Sequence, residues 1–212
     1  MPSLTVQRHD DHVQLDLPPH LNRNTLGELG EFGRSLTGNE PTVVVRPQTP
    51  GGLGFSPQEE LIELWSRATE WMSSPSHVVI SVLPPATLIG MGVNLALHAD
   101  VCLAEETGRV RPAEPELNGR VWPLGVERMT ADMGIWPQLR EVTAVELWRS
   151  GIVRVCESHD RLSRSVRDLI AANAQSFEAT KELKALLRQE TTADRERRRN
   201  HVEAARRLWE KE

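Results

Sequence analysis

Residues 76–128 read SHVVISVLPPATLIGMGVNLALHADVCLAEETGRVRPAEPELNGRVWPLGVER, and the alternation within this stretch decides the fold. The apolar, β-branched run of Val78, Val79, Ile80 and Val82 stops at Pro84-Pro85, which reads as a buried strand followed by a loop. Gly90-Met91-Gly92 then opens a segment that is apolar at Val93, Leu95, Ala96 and Leu97, with Asn94 and His98 its polar members. That is a tight turn running into a buried helix. A second apolar run, Val101 to Ala104, is a further strand, and it leads to a proline-spaced loop carrying Glu114 and Glu116.

The turn is either a plain helix start or a place for chemistry. Gly90 and Gly92 let the backbone bend sharply and put no Cβ in the way of a ligand. The first N–H groups of the helix have no intrahelical partners and lie at the positive end of its dipole, so an anion is favoured there. A developing oxyanion is one such anion. Asn94 and His98 are one helical turn apart on an otherwise apolar helix. They satisfy each other or nearby backbone, or they line a polar cavity.

On the N-terminal side, Leu4 to Leu17 shows two alternating segments about His9-Asp10-Asp11, a hairpin closed by Pro18-Pro19. Asn22 or Asn24 is placed to cap a helix over about Thr25–Leu36, ended by Gly38. Thr42–Arg46 is a short buried strand. Gly51, Gly52 and Gly54 follow it, a density that means either a flexible loop or close backbone approach to a ligand. Ser56, Pro57 and Glu59 start a helix to about Met72, with Leu61, Leu64, Trp65, Ala68 and Met72 on its buried face. On the C-terminal side, Ala144–Trp148 reads as a helix and Gly151–Cys156 as a strand, with helical pattern from Arg161 to the end. Strands alternating with helices predict an α/β chain built on a parallel sheet.

Length and composition narrow the function. The 212 residues suit one core-bearing domain, and 39% hydrophobic with 26% charged residues is ordinary for a globular protein. A net charge of −5 gives no electrostatic reason to expect nucleic-acid binding. The mixed-sign run Asp194–Arg199 reads as a solvated helix face. Cys102 and Cys156 have no metal-ligand spacing and read as buried free thiols, which fits a reducing compartment, and no metal site is expected. The N-terminus lacks a basic, then apolar leader pattern, and the apolar zone from Val78 to Ala104 is broken by prolines and charge, so the cytoplasm is the expected location. A hydrolase with a Ser or Cys nucleophile finds no G-x-S-x-G to support it.

The segment from Pro85 to Asp100 resembles the signature of the enoyl-CoA hydratase/isomerase (crotonase) superfamily, N-G-x-A-x-G-G-G-x-E-L-A-x-x-x-D, in Gly90, Gly92, Leu95, Ala96 and Asp100, with Ala104 at the small position beyond. Pro115-Glu116 with Gly119 resembles the family's P-E-x-x-x-G loop, and Ala144–Val155 its A-x-x-A-x-x-x-G-L-V-x-x-V segment. The resemblance implies a spiral of ββα units over residues 1–157 and a C-terminal helical trimerisation region over residues 158–212. It implies no permanently bound cofactor, with coenzyme A or phosphopantetheine arriving as part of an acyl-thioester substrate. Homotrimers or hexamers are implied too, with no nucleic acid and no membrane.

Mapped residue by residue, the oxyanion donors implied are the N–H of Met91 and that of Leu53 or Gly52, with Gly90, Gly92 and His98 contributing to substrate binding. The family's two glutamates fall at Asn94 and at Glu116, or at Glu114 if the spacing from Asp100 is kept without gaps. An amide cannot exchange a proton near neutral pH, so Asn94 holds water or a substrate oxygen at most. One carboxylate with an oxyanion hole suits isomerisation, dehydration or decarboxylation of a thioester better than hydration. Asn94, the missing Asp after Gly52 and the short 129–143 region suit equally a helper subunit of crotonase fold that has lost chemistry and binds a partner synthase or sister crotonase.

Overall fold

The computed structural model describes residues 3–38, 40–53, 60–114, 120–121 and 141–187. Its centre is set by three consecutive valines, Val43, Val44 and Val45, in β4 (Thr42–Arg46), all essentially without solvent exposure. A strand apolar at successive positions must be covered on both faces, the usual state of parallel sheets. β4 pairs in parallel with β2 (Val13–Asp16) on one side and with β6 (Val78–Leu83) on the other, Val43 facing both Val13 and Val79. β8 (Val101–Glu105) and β13 (Val155–Glu157) extend the parallel sheet beyond β6, and β1 (Thr5–Arg8) closes its other edge antiparallel to β2.

Four strands of this sheet, β2, β4, β6 and β8, are each followed by a short strand of a second layer, and the first three of these then by a helix. β2 leads to β3 (His20–Leu21) and α1 (Arg23–Ser35), and β4 to β5 (Gly52–Leu53) and α2 (Glu60–Thr69), which continues as a 3-10 turn over Glu70–Ser73. β6 leads to β7 (Thr87–Ile89) and α3 (Gly90–Leu97), and β8 to β9 (Arg109–Arg111). The fourth unit is interrupted by β10 (Ala113–Glu114) and β11 (Arg120–Val121) before β12 (Val142–Thr143) and α4 (Ala144–Arg149). In the second layer β3 pairs in parallel with β5, and β7 with β9. The expected spiral of ββα units is thus visible in the pairings.

The hairpin, the valine strand, the apolar strands on either side of the glycine turn and the helices between them all form, and the physical signals are the ones the residues suggested. Asn22 caps α1, its Oδ1 accepting the Thr25 N–H at 3.0 Å. Thr143 and Glu146 form a reciprocal capping box at α4. Three expectations need correction. The loop expected between Pro85 and Gly90 contains β7, which forms because Leu88 is fully buried and Thr87–Ile89 pair with Arg109–Arg111. The strand expected at Gly151–Cys156 begins only at Val155, because Gly151 turns the chain at φ +81°. The helix expected to reach Met72 is α-helical only to Thr69.

Three apolar clusters fill the layers. One joins Leu15, Val43, Val45 and Val79 to Leu26, Leu29, Trp65 and Met72 of α1, α2 and the 3-10 turn, and to Met91 and Leu95 of α3. A second lies under α4 and the second layer, around Leu88, Val93, Leu97, Val110 and Leu147. The third covers the other sheet face, where Val44, Ile80 and Leu103 meet Leu162, Val166 and Ile170 of α5 (His159–Leu187). The first half of α5 therefore completes this chain's own core. Ser56, Pro57, the 129–140 stretch and residues 188–212 with Trp209 lie outside the described residues.

Candidate active site at the glycine turn

Gly51, with φ +73°, donates its N–H to the Pro19 carbonyl at 2.8 Å, and its own carbonyl accepts the Gly92 N–H at 2.8 Å. The loop after β4 is thereby fixed against the first turn of α3. The approach is close enough that a Cβ on Gly92 would lie 2.6 Å from the Gly51 oxygen and 2.9 Å from its Cα. Gly90 at the helix start has φ +49°, a left-handed conformation that favours glycine. Of the glycines expected to admit a ligand, Gly90 makes the bend and Gly92 makes the close approach.

This contact brings the segment carrying Met91 against the segment carrying Gly52 and Leu53. Met91 directly precedes Gly92, and Gly52 and Leu53, the two residues of β5, directly follow Gly51. Helix α3 packs against β5 on this side. The Met91 side chain does not face an open hollow. It is fully buried in the apolar cluster with Leu95, Trp65 and Met72.

Asn94, one turn further on, is wholly buried, and neither its Oδ1 nor its Nδ2 has a hydrogen-bond partner among the described residues. The expectation that Asn94 and His98 satisfy each other therefore does not hold for the Asn94 side chain. His98 stands at the C-cap of α3, half-buried, with its N–H bonded to the Asn94 carbonyl at 3.0 Å. It lies at the opposite end of the helix from the glycine turn. A buried amide without partners costs about 1–3 kcal/mol, so its presence in the middle of an apolar helix asks for a reason beyond folding.

Of the two glutamates only Glu114 is among the described residues, placed by its main chain. Glu114 ends β10, which packs against α3 and pairs antiparallel with β11, Glu114 opposite Arg120. Glu116 falls in the connection between these strands, outside the described residues. Among the described residues no group of His, Cys, Asp or Glu is arranged to hold a metal ion. None of their helices is long and apolar enough to cross a membrane. Cys102 is buried and in no disulfide, while Cys156 is only half-buried, with burial and then the charges of Glu106 and Glu157 raising its pKa.

The Gly51 carbonyl is the structural element that the sequence did not single out. Its signal was present as the glycine cluster after β4, but the bond it accepts comes from 41 residues along the chain, and the Pro19 carbonyl that anchors its N–H belongs to a third segment. Local pattern does not encode such a junction.

A parallel sheet wound with a second layer of short strands, with a glycine loop docked on a glycine-started buried helix, defines the class: this chain has the crotonase fold. It is similar in structure to a protein from Thermobifida fusca YX assigned as an enoyl-CoA hydratase and solved with acetoacetyl-CoA, with a TM-score of 0.75 at 18% identity over 97% of this chain and 94% of that one. An enoyl-CoA hydratase from Bacillus halodurans gives a TM-score of 0.75 at 15% identity, covering 96% of this chain and 92% of that one. One from Mycobacterium smegmatis gives 0.73 at 16% identity, covering 97% and 91%. No family model and no curated protein matches the sequence.

Proposed function

We propose that this chain binds an acyl thioester, of coenzyme A or of a phosphopantetheine carrier, and stabilises its enolate at the junction of the glycine loop and α3. The thioester carbonyl oxygen is held by the main-chain N–H of Met91 and that of Leu53 or Gly52. The observation that carries this reading is the Gly51–Gly92 hydrogen bond at 2.8 Å, which joins the two donor segments without any side chain between them. Preorganised backbone donors at a forming oxyanion contribute several kcal/mol of transition-state stabilisation, typically about 3–4. Crotonase-fold neighbours assigned as enoyl-CoA hydratases, one of them solved with acetoacetyl-CoA, support the substrate class.

Glu116, or Glu114 beside it, serves as the single base, removing a proton from the carbon next to the carbonyl or returning one to it. Asn94 holds an oxygen of substrate or water and moves no proton. With one proton-transferring group, isomerisation and decarboxylation are favoured over reversible hydration. The test is exchange of the α-protons of a pantetheine thioester into deuterated solvent. Wild type exchanges, and Glu116→Gln keeps binding but loses exchange. Exchange that persists in both Glu116→Gln and Glu114→Gln removes these acids from the mechanism.

The fully buried Met91 side chain favours a second reading, a helper subunit of crotonase fold that works by binding a synthase or sister crotonase. That reading expects no α-proton exchange by the chain alone and co-purification with its partner.

A further inference from the structure

We propose that the cleft between the C-terminal ends of α1 and of the 3-10 turn binds a small organic anion, a carboxylate or phosphate on an apolar body. The cleft encloses about 480 Å³, within the range of small-molecule sites. His77, on its wall, directly precedes β6, and Leu36 and Gly38, also on its wall, lead from α1 toward β4. The glycine loop and the glycine turn follow the far ends of these same two parallel strands. The cleft is therefore at the opposite end of the sheet from the proposed thioester site, and the inference does not rest on that reading.

Two glycines of α1, Gly30 and Gly33, bring the helices together here. A Cβ on Gly30 would lie 3.6 Å from the Ala68 Cα, and one on Gly33 only 2.3 Å from Cδ1 of Trp71. The pyrrole edge of the indole thus stands against α1, with the ring edge-on to Phe32 at 5.2 Å between centroids. Trp71 is 7% exposed, and the Nε1 bonded to that Cδ1 has no hydrogen-bond partner among the described residues. An enclosed N–H without an acceptor costs about 1–3 kcal/mol. Gly33 and Trp71 both line the cleft, which places this unmet donor at its wall.

Helix ends of this polarity present carbonyls, which by themselves favour cations. Here those carbonyls are engaged. The Gly33 oxygen accepts the Leu36 N–H, and the Trp71 oxygen accepts the Ser74 N–H at 3.0 Å and meets His77 Nε2 at 2.9 Å. The donors are not all engaged. Arg34 is exposed and has no ion-pair or hydrogen-bond partner among the described residues, and its Nη1 lies 3.7 Å from the place of a Gly30 Cβ. Arg67, on the facing helix, shares its charge with Glu63 at 3.2 Å. Against these two guanidiniums the described wall sets one acid, Glu70. A guanidinium without a carboxylate takes an acid group through two parallel N–H bonds. Leu36 and the Trp71 ring seat the apolar body. Contact of the acid group with the Trp71 N–H asks the Arg34 side chain, folded over Gly30 one turn away, to swing toward the ligand.

The test titrates the full chain with phenyl phosphate, benzoate and benzylamine, followed by calorimetry. Phenyl phosphate or benzoate binds, the tighter of the two naming the acid group, and benzylamine, a cation on a similar body, does not. Arg34→Gln, at an exposed position, weakens the anion about tenfold or more, the scale of a lost charge-assisted hydrogen bond. Trp71→Phe keeps a ring against Phe32 but removes the N–H, and weakens the anion about threefold to tenfold. If that variant does not fold, Arg34→Gln decides alone. Anion affinity unchanged in Arg34→Gln or in folded Trp71→Phe overturns the inference. So does benzylamine binding as tightly as the anions, or no binding of either anion at millimolar concentration.

Discussion

Lys184 near the end of α5 donates from Nζ to Asp100 Oδ2 at 2.7 Å, and the same oxygen accepts the Val79 N–H at 2.9 Å. One carboxylate thus ties the end of α3 to the start of β6 and to α5. The lysine also donates to the His77 carbonyl at 2.8 Å and the Met72 carbonyl at 3.3 Å, so its buried ammonium is solvated by protein alone. Asp100, which the sequence offered only as a signature position, is a structural post for α3.

Removing one partner of that pair is expected to be costly, since the other charge stays behind in a largely dry place. Lys184→Met should lower stability by about 3 kcal/mol. The double variant Lys184→Met with Asp100→Asn should recover part of the loss, because the orphaned charge is then gone and an amide can still accept from Val79. Urea unfolding of the two variants against wild type checks this. Equal loss in both would mean that the ion pair itself contributes little.

Asn94 makes an opposite prediction. Its amide is enclosed and has no hydrogen-bond partner among the described residues, so Asn94→Leu, close to it in size, is expected to leave stability unchanged or raise it by up to about 2 kcal/mol while weakening thioester binding. A gain in unfolding midpoint with weaker thioester binding is the signature of a polar group kept for function. A clear loss of stability would show that the amide serves the fold.

Two glycines test whether the junction at the site is sterically closed. Gly92→Ala sets a Cβ 2.6 Å from a backbone oxygen that cannot step aside, so a loss of about 1–3 kcal/mol is expected, together with loss of thioester binding. Gly27, inside α1, has nothing within 4 Å of an added Cβ, and Gly27→Ala should stabilise by about 0.5–1 kcal/mol through helix propensity alone. Thermal unfolding of the pair gives the signs. Similar behaviour of the two would deny the close approach.

The fold was legible because its signals are local and repeated. Val43–Val45 and Val78–Val82 could only be buried strands, Asn22 could cap, and Gly90 and Gly92 around Met91 marked the turn into a helix that the structure buries completely. β7 escaped because three residues beside two prolines carry no period, and its pairing with β9 is decided by the second layer as a whole. Of the site, the helix side was readable and the junction was not. A hydrogen bond from Gly92 to Gly51, and an amide at Asn94 without partners among the described residues, are tertiary facts that composition does not hold. The ties from Lys184 and Asn173 of α5 to β4, β6 and Asp100 were equally hidden, since a helical stripe shows which face is buried and not what it meets.

His77 gives a prediction in pH. Its imidazole is buried at the start of β6, with Nε2 at 2.9 Å from the Trp71 carbonyl. Burial, and next the charge of Lys184, push its pKa below the ordinary 6.5, outweighing the Trp71 carbonyl and the carboxylates of Asp100 and Glu40, which favour the charged form. The unfolded chain therefore takes up a proton near pH 6.5 that the folded chain still refuses. Stability contributed by the neutral ring is complete above that pH and declines as pH falls, at up to about 1.4 kcal/mol per pH unit, until the folded pKa is reached. Asp11, lowered chiefly by its bond to His12, and Glu141, lowered chiefly by Arg109, lose their contributions further down, as pH falls through the carboxylate range. Unfolding free energies measured from pH 7.5 down to about 5 should thus slope downward for wild type and more shallowly for His77→Gln, whose amide still donates to Trp71 but does not titrate. Parallel slopes in the two proteins would place the acid sensitivity elsewhere.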